Sequence, residues 1–347
     1  MTCRAFLAIL VLVLALPPSA AAKTATRGKT PVHKAAAVRK TTAAASRGPV
    51  QTAHRKSPYV GAIAADAATG KVLFEENADA EAYPASVTKL MTLLLVADDV
   101  NAGKYGFDDM VEATADAYKS EPSWVGIKVG EKMSVRDLCT ALMVESANDA
   151  AIVLGVHSAG SFDAFVDRMN ARAAELGMSR TRYYNPNGLP PNPAKRYPWK
   201  DFNVSTARDQ LLLAKTLVKR PEVLSFTSVK TCDLIKTVDG YRISVTRRTN
   251  AQPCATSPAN GERIVKQMRN HNNVMRTDKL KVVNSDGTEA IDGLKTGYID
   301  AGGSSIILTG TRKGKRAIVV VLGSSSSKER DENALRLFTD ALGTLVW

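Results

Sequence analysis

The chain has 347 residues, 44% apolar and 23% charged, with a formal net charge of +13 at pH 7. That apolar content can bury a large core and excludes a wholly disordered or fibrous polypeptide. The charge is concentrated: Arg4 and nine Lys or Arg in residues 23–57 supply ten of the 47 cations, leaving 37 basic against 34 acidic residues beyond position 57. The remaining body is nearly neutral and has no basic groove interleaved with aromatics, so no nucleic-acid partner is expected.

In chain order, Arg4 precedes 12 apolar residues (5–16), a Pro-Pro break and the A-x-A site Ala20-Ala21-Ala22. This predicts a cleaved secretory signal over 1–22, because a spanning helix needs about 20 apolar residues. Residues 23–57 contain no acid and no Phe, Trp or Tyr, and they are rich in Ala and Thr. Such a segment buries too little apolar surface to offset its ordering entropy and predicts a basic disordered tether. Loose contact with an anionic envelope surface and a solubilising spacer are equally weighted readings of it. The protein is therefore expected to be exported, periplasmic or loosely envelope-associated.

Strand-like runs at 59–67 and 72–76 flank Thr69-Gly70-Lys71 and predict an opening hairpin. The run beginning near Ser86 has almost no polar face and predicts a helix buried on most sides. Residues 134–154 predict helix with a break near 145–148, and 161–176 and 205–219 predict further helices, the last capped by Ser205. A hairpin around Asp239-Gly240 is expected within 236–248. Strand patterns then recur at 292–298, 304–311 and 317–322, before a closing helix over 328–345. Strands at both ends with helices between predict an α+β fold: an antiparallel sheet of N- and C-terminal strands with a helical subdomain, about 84–220, inserted.

Cys3 leaves with the signal, and Cys139 lies in an apolar helical run that predicts a buried free thiol. Cys232 and Cys254 flank the expected hairpin, and a bridge between them is predicted to stabilise by about 3 kcal/mol in an oxidising compartment.

Three short motifs carry the chemistry. Ser86-Val87-Thr88-Lys89 places an amine one helical turn from a hydroxyl, where a neutral lysine acts as general base. An unperturbed lysine titrates near about 10.4, so burial, a helix N-terminus and a neighbouring cation must hold it far lower. Ser146-Ala147-Asn148 interrupts a helical pattern with a hydroxyl and an amide able to shuttle a proton and hold a peptide. Lys295-Thr296-Gly297 lies on a strand, with Lys295 and Gly297 on one face and Thr296 on the other. The cation suits a carboxylate, and the glycine leaves room for a substrate backbone. Each motif alone is common, and Ser325 with Lys328 even supplies a second Ser-x-x-Lys.

In this order the three resemble the motif set of penicillin-binding proteins and class A β-lactamases. More specifically, residues 59–347 resemble the serine-type D-alanyl-D-alanine carboxypeptidases, the low-molecular-mass penicillin-binding proteins. Supporting stretches are Asn185-Pro186-Asn187-Gly188-Leu189, Ser205-Thr206-Ala207-Arg208-Asp209 and Asp292-Gly293-Leu294 before the lysine motif. The resemblance implies the α/β sandwich of penicillin-binding proteins and serine β-lactamases, in a catalytic domain spanning 58–347. It implies Ser86 as nucleophile, Lys89 as base, Ser146 as proton relay, and Asn148, Lys295, Thr296 and Gly297 as substrate contacts. It also implies an oxyanion hole from the backbone N–H groups of Ser86 and Tyr298. The implied substrate is a peptidoglycan pentapeptide and the implied inhibitors are β-lactams, with no metal and no other cofactor.

The sequence departs from the family pattern in a long 232–264 segment and in a loose match at 269–272, to which no role is assigned. About 50 residues follow Lys295, which implies no C-terminal β domain. A D,D-endopeptidase cutting crosslinks is the alternative within the same chemistry. A class A β-lactamase ranks lower for lack of a Glu-x-x-Leu-Asn segment, and a non-hydrolytic cell-wall binder ranks lower because it gains nothing from an activated serine. Of the four histidines, His33 and His54 fall in the tail and His157 reads as packing, leaving little for a Ser-His-Asp triad.

Overall fold

The computed structural model describes residues 57–115, 117, 123–195, 197–250 and 257–346. The expected signal peptide, almost all of the tether and Cys254 lie outside them, and the described residues fall in one compact unit. A five-stranded antiparallel sheet is formed by β1 (Gly61–Asp66), β2 (Val72–Glu76), β8 (Ile291–Ile299), β9 (Gly303–Arg312) and β10 (Lys315–Ser324), in the order β2-β1-β10-β9-β8. The first strand is thus held by the last, with Ile63 opposite Val320 and Gly61 opposite Leu322. Alternation decides which residues face which layer. Ala62, Ala64, Val319 and Val321 meet the closing helix α8 (Ser327–Val346) through Leu337, Phe338 and Leu342, whereas Ile63, Ala65, Val320 and Leu322 join the core of the helical side.

That side contains α1 (Lys89–Asn101), α2 (Val135–Val144), α3 (Asn148–Ala159), α4 (Phe162–Glu175), α5 (Ala207–Leu217) and α6 (Pro221–Thr227). A small hairpin of β3 (Met110–Glu112) and β4 (Lys132–Ser134) lies within it. In α1 every residue from Lys89 to Ala97 is buried, as its lack of a polar face predicts. Each fully buried leucine there contributes about 2 kcal/mol by leaving water. His157 packs its ring against Tyr105, in keeping with a packing role.

Two expectations need correction. The helix does not begin at Ser86: residues Ala85–Thr88 form a 3-10 turn, and the α-helix starts at Lys89. Thr206, not Ser205, caps α5, its hydroxyl accepting from Asp209 N at 3.0 Å, while the Ser205 hydroxyl accepts from Gln210 Nε2. The expected hairpin around Asp239-Gly240 forms between β5 (Val229–Lys236) and β6 (Tyr241–Arg248), and β7 (Arg263–Arg269) pairs with the other edge of β5 to complete a three-stranded sheet in the order β6-β5-β7. Cys139 and Cys232 are both buried free thiols, and burial pushes the Cys232 pKa up to about 12; Cys232 makes no bridge among the described residues, and the expected partner Cys254 lies outside them.

Candidate active site

The turn that carries Ser86 is held in a conformation that side chains disfavour. Ala85 has φ +50°, and Ser146 has φ +59°, each costing about 1–3 kcal/mol that surrounding packing must offset. Ser86 stays half-buried at the surface of this turn. Lys89, one turn inward, is fully buried.

Three oxygens surround the Lys89 amine: Ser86 Oγ at 2.9 Å, Asn148 Oδ1 at 2.8 Å and the Asn187 carbonyl at 2.6 Å. The two amide oxygens can only accept hydrogen bonds. A neutral amine therefore gives its two N–H groups to them and turns its lone pair to the Ser86 hydroxyl. Burial pushes the Lys89 pKa well below the ordinary lysine value, the charge of Lys295 pushes it further, and Asp149 pulls the other way.

Asn148 reaches the amine because the helical run breaks before it. α2 ends at Val144, Glu145 to Ala147 form the break, and α3 starts at Asn148. Asp149 secures the break: its buried carboxylate accepts from the backbone N–H groups of Val125 (3.2 Å), Gly126 (3.0 Å) and Ile127 (3.4 Å). The Asn148 N–H donates to the Ser123 carbonyl at 2.6 Å. One loop, 123–127, is thereby fastened beside the amide that holds the base.

On the sheet side, β8 brings Lys295, Thr296 and Gly297 to the site. Gly297 faces the nucleophile turn, while Lys295 is buried and donates to the Thr296 carbonyl at 2.9 Å. Burial, then the charge of Arg330, lowers Lys295 to about 7. Thr296 is also buried, whereas the ring of Tyr298 is exposed and its hydroxyl donates to Asp300 at 2.7 Å.

The Ser-x-x-Lys pair and Asn148 are thus joined by direct hydrogen bonds, and Lys295 is near enough for its charge to act on Lys89. Ser146 is buried, and its Oγ makes no hydrogen bond among the described residues. Sequence reasoning missed the Asn187 carbonyl, the Asp149 clamp and His271. His271 has a solvent-accessible surface, yet the bulk of protein around it and then the charges of Lys295, Lys89, Arg276 and Lys266 push its pKa down to about 4.

Residues 51–253 match the family model described as D-alanyl-D-alanine carboxypeptidase. The chain is 31% identical over 284 residues to the D-alanyl-D-alanine carboxypeptidase DacC of Escherichia coli, a match covering 80% of this chain and 59% of that protein. Among solved structures, it resembles the D-alanyl-D-alanine carboxypeptidase DacD of Francisella tularensis with a TM-score of 0.69 at 28% identity, covering 86% of this chain and 74% of that one. It also resembles penicillin-binding protein D2 of Listeria monocytogenes, solved in an ampicillin-bound form, with a TM-score of 0.61 at 27% identity over 83% and 99% of the two chains. With the family model matching more than half its length, a penicillin-binding-protein fold and the motifs gathered around one buried lysine, the chain belongs to the D-alanyl-D-alanine carboxypeptidase family.

Proposed function

We propose that the protein removes the terminal D-alanine from peptidoglycan stem peptides through a serine acyl-enzyme. Ser86 attacks the carbonyl of the D-alanyl-D-alanine bond while Lys89, neutral, takes its proton. The oxyanion that forms is held by the backbone N–H groups of Ser86 and Tyr298, a kind of donor worth about 3 kcal/mol each in a transition state. Ser146 passes the proton to the departing D-alanine nitrogen, Asn148 orients the peptide, and Lys295, Thr296 and Gly297 receive the strand of substrate that ends in a carboxylate. Water then attacks the acyl carbonyl and releases the shortened peptide and free Ser86.

The observation that carries this reading is the fully buried Lys89 amine 2.9 Å from Ser86 Oγ. A cation buried there without a carboxylate partner has little structural justification, whereas a neutral amine there is a base. β-Lactams, whose ring carbonyl and carboxylate present the same pair of features, are the expected inhibitors. The reading includes export by residues 1–22 and a periplasmic or loosely envelope-associated enzyme tethered by 23–57, with the catalytic domain over 58–347. Among the described residues no helix is long and apolar enough to cross a membrane.

Incubation with a fluorescent penicillin and, separately, with a D-alanyl-D-alanine pentapeptide tests it. A long-lived label and free D-alanine, both lost in Ser86→Ala, are expected. Rapid turnover of the penicillin would replace the reading with a β-lactamase, and absence of label with a binding protein. Cleavage of crosslinked muropeptide dimers without D-alanine release would replace it with an endopeptidase.

A further inference from the structure

The peptide unit between Asn187 and Gly188 is gripped at both ends. Its carbonyl accepts from Lys89 Nζ at 2.6 Å, and its N–H, on Gly188, donates to Asn185 Oδ1 at 2.6 Å. The two groups point in opposite directions across a planar trans peptide, so fixing the N–H fixes where the carbonyl aims. Asn185 is itself fully buried and held by Asn203, whose Nδ2 donates to the Asn185 carbonyl at 3.0 Å and whose Oδ1 accepts from Asn185 N at 3.2 Å. The same Nδ2 donates to Thr88 Oγ1 at 3.0 Å, and Thr88 is the residue immediately before Lys89. A closed loop of bonds therefore runs from Thr88 through Asn203, Asn185 and the 187–188 peptide to the Lys89 amine. Nothing larger than glycine fits at 188, where φ is +82° and a Cβ would stand 1.9 Å from the Ala85 carbonyl oxygen.

We propose that Asn185 and Asn203 form a positioning pair that aims the Asn187 carbonyl, and so directs the Lys89 lone pair at Ser86. This deepens the acyl-transfer reading and rests on it. If the Asn187 carbonyl turns away, one N–H of the neutral amine loses its acceptor and competes for the Ser86 oxygen, leaving the lone pair misdirected. The pair touches neither nucleophile nor substrate, so it governs the rate of proton removal and not the affinity of the cleft.

The test uses the full chain with Asn185→Ala, Thr88→Val and their combination, following acylation by a fluorescent penicillin across concentrations. Thr88→Val removes the acceptor at the far end of the loop with almost no change in shape. Acylation at saturation is expected to fall by about 100-fold in Asn185→Ala and about 10-fold in Thr88→Val, with half-saturation within about twofold of wild type. The double variant should be no slower than Asn185→Ala alone, since both substitutions open one loop. Melting curves identify the folded variants, and if Asn185→Ala does not fold, Thr88→Val decides. Folded variants acylated at the wild-type rate, or slowed only through half-saturation, overturn the proposal. A wild type that never becomes labelled defeats the acyl-transfer reading itself.

Discussion

Gly297 lies against Ser86: a Cβ at position 297 would stand 3.0 Å from the Ser86 nitrogen and 2.6 Å from the Pro84 carbonyl oxygen. Both are backbone atoms and cannot swing aside as a side-chain end would. Gly297→Ala must therefore separate β8 from the nucleophile turn, moving the Tyr298 N–H relative to the Ser86 N–H. Penicillin acylation is expected to slow by about 100-fold, comparable to losing one oxyanion donor, while the far-ultraviolet circular dichroism stays unchanged. Wild-type acylation by this variant would show that the close approach is not needed.

The two buried lysines set opposite limbs of the pH profile. On the proposed mechanism Lys89 acts as a base only when neutral, so kcat/KM is expected to fall as pH drops through its lowered pKa. On the same mechanism Lys295 binds the substrate carboxylate only when charged, so kcat/KM is expected to fall again as pH rises through about 7. Lys295→Arg keeps its charge at every accessible pH and is expected to abolish the alkaline limb, leaving the acid limb in place. An alkaline limb unchanged in that variant would assign it to another group.

Asp99 contributes acid-sensitive stability. Its carboxylate, at the far end of α1, bonds Arg168, Lys104 and Ser158, tying α1 to α3 and α4. Burial alone would raise its pKa, yet the bonds from Arg168, Lys104 and Ser158 hold it at about 2. Because the folded value lies below that of a free carboxylate, the stabilisation is present above about pH 4 and is lost between about 4 and 2. Asp99→Asn is expected to lower the free energy of urea unfolding by about 1–2 kcal/mol at pH 7, allowing for solvent screening, with the difference shrinking towards pH 2.5. A constant difference across that range would exclude the linkage.

The Asp149 clamp predicts an effect on substrate binding as well as stability. Asp149→Ala strips acceptors from the N–H groups of Val125, Gly126 and Ile127, costing about 2–3 kcal/mol, and frees the loop beside Asn148. Half-saturation by penicillin is expected to rise about tenfold. Hydrogen exchange at 123–127 should accelerate in the variant, and unchanged exchange there would show that other contacts hold the loop.

Legibility followed the kind of group involved. The Ser86, Lys89, Asn148 and Lys295 motifs could be read directly because side-chain chemistry at fixed spacing leaves a trace in sequence. The Asn187 carbonyl could not, since every residue carries one and only the fold selects which faces the lysine. The five strands of the main sheet and α1 were evident from period and burial, whereas β7 was not. Its Ile264 and Val265 are adjacent and both exposed, so the alternation that marks a half-buried strand is missing. α6 has only seven residues, too few to display a helical period, and Ser205 and Thr206 are equally good caps until Gln210 claims the serine hydroxyl.

The lodging of β1 between β2 and β10 also governs when the molecule can mature. β1 waits for a strand made more than 250 residues later, and contacts of such sequence separation form slowly. A nascent polypeptide therefore cannot pair β1 with β10 until residues 315–324 have been made. Removal of α8 would disable chemistry located far upstream, by uncovering the sheet that it shields.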